Sequence, residues 1–166
     1  MEFHSSQAFT SYLKSVHART RRLILVIPPS ELEWRPLEGN FSYGDIIRHL
    51  ASIERYLYAE MARGGENLYS GHGVELANGF EGVLAYYDRL HEEAVTIFSS
   101  LSDEALGKKI MSPAGVEITM WKWLRAGLEH EIHHRGQLYL MLALQNIPTP
   151  PIFGLTSEEV RQSSKV

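Results

Sequence analysis

The chain has 166 residues, about the size of one domain, so a second full domain is not expected. Hydrophobic residues make up 44% and charged residues 22%, which excludes a disordered, fibrous or disulfide-stabilised chain. The formal charge of −4 provides no basic surface for nucleic acid, and no nucleic-acid partner is expected. The absence of cysteine excludes a cysteine nucleophile, so any thiol chemistry requires a thiol supplied from outside.

Neither a membrane span nor an export signal is predicted. No segment contains the roughly 20 uncharged apolar residues that a span requires. The first residues, MEFHSSQAFTSYLKSVHARTRR, lack a basic flank followed by an apolar stretch and a small-residue cleavage site. We therefore expect a cytoplasmic protein with no membrane partner.

Two helices are predicted in the first half of the chain. From Phe3 to Ile27, apolar residues recur at spacings of three, four and seven, and Pro28-Pro29 ends this helix. A second helix begins at Ser42, where Asp45 three residues later indicates a capping box, and it ends at Gly64.

The second half of the chain predicts two more helices. Residues 66–77 form a loop rich in Gly, Asn and Ser, and helices follow at Gly79–Ser100 and Ile118–Gln145. A short final turn is predicted near Thr156, and no alternation long enough for a sheet is present. Four amphipathic helices predict an all-α protein, a four-helix bundle forming one domain over residues 1–166.

The predicted fourth helix contains three of the eight histidines, at positions 130, 133 and 134. His130 and His134 are one helical turn apart on an apolar face, a spacing that can hold one metal ion. A third ligand must come from another helix, and the candidate is His49 in the second helix. The alternative is that these are core histidines hydrogen-bonded to their neighbours.

The same segment also matches the H-E-x-x-H pattern of zinc peptidases, with Glu131 as general base. Such an enzyme needs a third ligand further along the chain. Position 140, where the longer version of the motif requires histidine, is Leu140, and Glu158 follows a proline-broken loop. A peptidase is therefore disfavoured.

Four short segments, spread over most of the chain, carry a resemblance to a known family. They are Trp34-Arg35-Pro36, Phe41–Leu50 with Glu54, His130–Gln137 and Ile147–Pro151. Together they resemble the DinB-like (DinB/YfiT) superfamily of bacterial proteins. The resemblance implies a four-helix bundle with a divalent metal, zinc or nickel, held by three histidines. On this sequence the matching positions are His49, His130 and His134.

The resemblance also implies a homodimer and suggests an activity, because some members are thiol S-transferases that use bacillithiol or mycothiol. Three neutral imidazoles do not compensate the positive charge of a bound metal ion, and they leave one coordination position open. Both features are typical of catalytic sites. One hypothesis is a metal-dependent transferase that joins a low-molecular-weight thiol to an electrophilic small molecule. The alternatives are a non-catalytic metal-binding bundle and, less favoured, a metal-dependent hydrolase. Whether the protein is an enzyme stays open at this point.

Supporting roles follow from position on the helices. Gln137 is a candidate for contacting a bound ligand, Arg135 for an ion pair, and Glu131 and Glu54 for orienting the histidine N–H groups. Three aromatic residues are candidates either for lining a pocket or for core packing: Trp121, Trp123 and Tyr43. Four histidines show no ligand spacing and are predicted to be surface or packing residues: His4, His17, His72 and His91.

Overall fold

The structure, a computed structural model, describes residues 2–164 and is mainly helical. Its helices are α1 (Ser6–Ile24), α2 (Tyr43–Ile53), α3 (Glu60–Ala62), α4 (Phe80–Ser99), α5 (Met120–Leu144) and α6 (Ser157–Ser163). A π-helical turn, Glu54–Ala59, joins α2 to α3 and makes them one continuous helical segment. The prediction of a helical protein is confirmed. Over residues 2–164, none of these helices combines the length and apolar character needed to cross a bilayer.

The helix starts follow from local capping. At α2, the Ser42 hydroxyl accepts the Asp45 N–H and the Asp45 carboxylate accepts the Ser42 N–H, both at 3.0 Å. This is the predicted capping box. Thr156 and Glu159 form a second one at the start of α6, where a final turn was predicted.

The long helices of residues 2–164 pack against one another. Helix α1 packs against α4 and α5, and α2 also packs against α4 and α5. The long loop between α3 and α4 connects the end of the α2–α3 segment to the start of α4.

The interior consists of two apolar halves separated by polar residues. One half is built around residues such as Leu23, Ile47, Leu90 and Leu138, and the other around Val16, Ala94, Phe98 and Leu128. Between them, each helical segment contributes polar side chains, which we call the polar layer: His17, Thr20, Glu54, His91, Glu131 and Arg135. All except Glu54, which is half-buried, are buried. Buried polar groups need partners, and several members of this layer bond to one another or to the backbone.

A short hairpin corrects the expectation that the chain has no sheet. Strands β1 (Lys109–Met111) and β2 (Glu117–Thr119) pair antiparallel, with Ile110 opposite Ile118. Both isoleucines pack against the apolar half around Phe98. Strands of three residues are too short for a two-residue alternation to be recognised in the sequence.

Candidate metal centre

The structure brings together the three histidines that the sequence selected. His49 lies in α2, and His130 and His134 lie one turn apart in α5, which packs against α2. The Nε2 atom of His130 is 3.1 Å from that of His49 and 3.2 Å from that of His134. One nitrogen from each ring lies within 4.8 Å of the other two, so the three can share one ion. We call these residues the histidine triad.

Hydrogen bonds on the far side of two rings fix how they face each other. The Nδ1 atom of His134 is 2.6 Å from Oε1 of Gln137, and Nδ1 of His49 is 2.6 Å from the Tyr69 hydroxyl. An amide oxygen only accepts, so His134 carries its proton on Nδ1 and presents a lone pair at Nε2. A partner of this kind orients a metal-binding imidazole.

The triad is electrically neutral near pH 7. Burial and the neighbouring imidazoles lower the pKa of His49 to about 3 and the pKa of His130 to about 4. Burial also lowers the pKa of His134, although the hydrogen bond to Gln137 opposes this. Neutral imidazole is the form that binds zinc, nickel and copper. The donor set therefore fits a divalent cation of this class.

A pocket of about 500 Å³ opens beside the triad. His134 and Gln137 form part of its wall, and the remaining lining residues are uncharged: Pro36, Gly39, Asn40, Phe41, Ile46, Leu140, Met141 and Leu144. A small molecule in this pocket would contact His134 directly.

A buried arginine fixes the loops around the triad. The Arg48 side chain is fully buried, and its guanidinium donates to Glu33 at 2.8 and 3.0 Å and to Asp45 at 3.0 Å. It also donates to the backbone carbonyls of His72 and Ala77, at 2.9 and 3.2 Å. The segments on both sides of α2 are thereby tied to the helix beside His49. The role of Arg48 could not be predicted from the sequence, because an arginine next to a histidine on a helix gives no sign of burial.

Glu54 and Glu131 do not touch the triad, which corrects their predicted role. Glu54 accepts a hydrogen bond from Nδ1 of His91 at 2.9 Å, and Glu131 accepts one from the Tyr87 hydroxyl at 3.0 Å. Burial and repulsion from Glu54 raise the pKa of Glu131 to about 7. Because Glu131 lies in the polar layer, it is poorly placed as a peptidase base. Gln137, predicted as a ligand contact, lies in the pocket wall and also accepts a hydrogen bond from His134.

Two of the remaining histidines, His17 and His91, pack against each other inside the protein. His17 and His91 are both buried and lie face to face, with ring centroids 3.6 Å apart. Together with Glu54 they form a second group able to hold a metal, here called the inner cluster. Arg135, expected to form an ion pair, instead donates to the Val16 carbonyl at 3.5 Å.

The other predicted residues take structural positions. Trp123 is buried and donates its indole N–H to the Tyr58 carbonyl at 3.1 Å, and Tyr43 is buried with its hydroxyl 2.9 Å from Gln145. Trp121 packs at the edge of the core beside Arg125. None of the three aromatic residues lines the pocket beside His134.

Comparison with known proteins identifies the family. A family model described as the DinB superfamily matches residues 12–138. The Bacillus subtilis protein YjoA is 26% identical over 137 residues, which cover 81% of this chain and 87% of YjoA.

Two crystal structures have the same fold. That of the DinB-like protein YjoA from Bacillus subtilis superposes with a TM-score of 0.72 at 20% identity, over 90% of this chain and 99% of that one. A DinB-like protein from Bacillus cereus gives a TM-score of 0.74 at 15% identity, over 91% of this chain and 99% of that one. With the family match covering more than half of its length, this chain belongs to the DinB superfamily.

Proposed function

We propose that this protein binds one divalent cation, zinc or nickel, through His49, His130 and His134, and that it is a metal-dependent thiol S-transferase. In this proposal the chain is a single DinB-like four-helix bundle over residues 1–166. The observation that carries the proposal is the convergence of three Nε2 atoms beside a pocket of about 500 Å³.

Hydrogen bonding alone does not account for the triad. A neutral imidazole has one N–H and one lone pair. His134 holds its proton on Nδ1, toward Gln137, so its Nε2 can only accept. Nε2 of His130 has a single proton at most, yet it faces both His49 and His134 at hydrogen-bond distance. A cation shared by the three nitrogens removes this conflict between facing lone pairs.

A divalent cation held by three neutral imidazoles retains an open coordination position and favours the thiolate form of a bound thiol. The chain supplies the surroundings. Gln137 holds His134 in orientation, and the uncharged walls around Phe41 and Met141 favour a neutral electrophile. In the reaction, the thiol sulfur forms a bond to the electrophilic carbon, and the leaving group departs with its electron pair. The thiol proton passes to solvent.

Metal content tests the first half of the proposal. Untagged protein, never exposed to a nickel column, is analysed by elemental mass spectrometry as wild type and as His49→Ala. We expect the variant to lose one equivalent of zinc or nickel. His4→Ala is the matched control, because His4 is exposed and far from the triad in sequence. Equal metal content in all three proteins, also after dialysis against zinc or nickel, contradicts the triad as a metal site.

Thiol consumption tests the second half. Metal-loaded protein is mixed with bacillithiol, mycothiol or glutathione and with an epoxide or an activated aryl halide. We expect one thiol to be consumed at a rate that falls at least tenfold in His49→Ala, because an open metal position activates the thiol. A metal-loaded wild type that consumes none of them supports the alternative, a non-catalytic metal-binding protein.

The family resemblance also leads us to propose a homodimer. Along α5, one side exposes apolar and small residues that do not line the pocket: Ile132, Gly136, Tyr139 and Ala143. A second copy would cover this stripe. Sedimentation analysis is expected to give twice the chain mass for wild type and the chain mass for Tyr139→Glu. A monomeric wild type contradicts the dimer and leaves the metal site unaffected.

A further inference from the structure

The inner cluster joins three separate parts of the chain inside the protein. His17 comes from α1, Glu54 from the π-helical turn and His91 from α4. Both histidines are buried, at 7% and 4% relative exposure, and the Glu54 side chain is 13% exposed. One donor atom from each lies within 4.8 Å of the other two. Two imidazoles and one carboxylate form a recognised ligand set for zinc.

His17 has an unused donor atom in this cluster. Its Nε2 faces the Asp88 carboxylate at 3.5 Å, whereas Nδ1 is buried and has no hydrogen-bond partner. A buried polar atom without a partner is costly and is uncommon in native proteins. An unpartnered nitrogen on His17, a member of the same group as Glu54 and His91, is the feature that a bound cation would explain.

The π-helical turn is the second unusual feature at this point. Such turns are rare and occur often at functional sites, because they interrupt the regular hydrogen bonding of a helix. Here the turn begins at Glu54, and two of its carbonyls accept hydrogen bonds from elsewhere: Tyr56 from the Leu68 N–H at 2.9 Å and Tyr58 from Trp123 at 3.1 Å. The irregular turn is therefore held in place by tertiary contacts at Tyr56 and Tyr58, and the Glu54 side chain is held by His91.

We propose that the inner cluster is a second metal site, in which His17, Glu54 and His91 bind a divalent cation such as zinc and link α1, the π-helical turn and α4. This proposal does not depend on the histidine triad. Because both histidines are buried, no substrate reaches the ion, and its role is to stabilise the fold.

Binding requires a movement of the two rings. His17 and His91 stack with an interplanar angle of 10°, and His17 also stacks on Tyr87 with centroids 4.3 Å apart. The lone pair of an imidazole nitrogen lies in the ring plane, so the lone pairs of stacked rings run side by side. At least one ring must turn about its Cβ–Cγ bond to direct its nitrogen at the shared ion.

Metal stoichiometry tests this proposal in the full-length protein. Zinc is removed and then titrated back against a chromophoric chelator, with wild type, His49→Ala, Glu54→Gln and Tyr87→Phe. We expect two equivalents in wild type and one each in His49→Ala and Glu54→Gln. Tyr87→Phe is the matched control, since it alters a buried polar residue of the same region that is not a ligand, and it should retain both. Circular dichroism confirms that each variant is folded.

The outcomes separate the two sites. One equivalent in wild type that is lost in His49→Ala but kept in Glu54→Gln overturns the inner site and leaves the triad intact. One equivalent lost only in Glu54→Gln supports the inner site and contradicts the triad. Zinc at a free concentration about 100 times the Kd of the inner cluster should also raise the melting temperature of His49→Ala by roughly 5–10 °C. No rise in His49→Ala, or an equal rise in His49→Ala/Glu54→Gln, overturns the inner site.

Discussion

The histidine triad and the inner cluster hold their imidazoles in opposite ways. In the triad, the outward nitrogens of His49 and His134 bond to neutral partners, a tyrosine hydroxyl and a glutamine amide. In the inner cluster, His17 and His91 face the carboxylates of Asp88 and Glu54. Glu54 raises the pKa of His91 despite burial, whereas burial lowers the pKa of His17 to about 3 and also lowers the pKa of every ring in the triad.

This difference matches different access to solvent. The triad adjoins a pocket and keeps neutral rings, so a cation there would retain its charge for a substrate. The inner cluster lies between two apolar halves and contains the Glu54 carboxylate, which would offset part of the charge of a cation held away from solvent. The triad also depends on loop residues such as Tyr69, whereas the inner cluster rests on helical segments alone. Loops are the more mobile support.

The largest expected effect comes from removing the arginine that fixes those loops. Arg48→Met leaves Asp45 and Glu33 without their partner and frees the carbonyls of His72 and Ala77. We expect the free energy of unfolding to fall by about 3 kcal/mol, because four acceptor groups lose a buried donor, although Glu33 is 41% exposed and Asp45 keeps Arg35 and the Ser42 N–H. Urea denaturation measures the change. If the variant remains folded, the zinc affinity of the triad should fall and the zinc affinity of the inner cluster should not change.

The control for Arg48→Met is Arg89→Met, which also removes one positive charge. Arg89 pairs with Glu93 at 2.7 Å, but the two side chains are 57% and 38% exposed. Exposed pairs contribute about 1 kcal/mol or less. A loss in Arg89→Met equal to that in Arg48→Met would contradict the importance of the buried contacts.

A smaller effect is expected where one hydrogen bond orients a triad ligand. Gln137→Ala removes the acceptor at Nδ1 of His134. Loss of such a partner typically lowers metal affinity about 10–100-fold. A zinc titration checks this, with Gln145→Ala as control because Gln145 is on the end of α5 and bonds to Tyr43 and Glu31 instead. Unchanged affinity in Gln137→Ala means that Gln137 does not orient the ligand.

The sequence was sufficient to find the triad but not the inner cluster, for a physical reason. His130 and His134 repeat at helical spacing on one segment, and apolar periodicity placed four helices with ends close to those observed. His17 and His91 each stand alone on an apolar stripe, so only the packing of α1 against α4 reveals that they meet. The π-helical turn at Glu54 could not be predicted either, because the apolar spacing of this segment is that of a regular helix.

The smallest effect concerns the close contact that supports the π-helical turn. A Cβ atom added at Gly127 would lie 3.1 Å from the Tyr58 ring, whereas one added at Gly136 meets nothing within 4 Å. Both glycines are in α5, where alanine is favoured by about 1 kcal/mol. We expect Gly136→Ala to stabilise the protein by up to about 1 kcal/mol and Gly127→Ala to destabilise it by about 1 kcal/mol, since Tyr58 must shift. Thermal or urea unfolding measures the stability of both variants. Both gain the same helix propensity, so the difference between them reports the contact with Tyr58. Equal stabilities would show that Tyr58 moves freely and that this contact does not hold the turn.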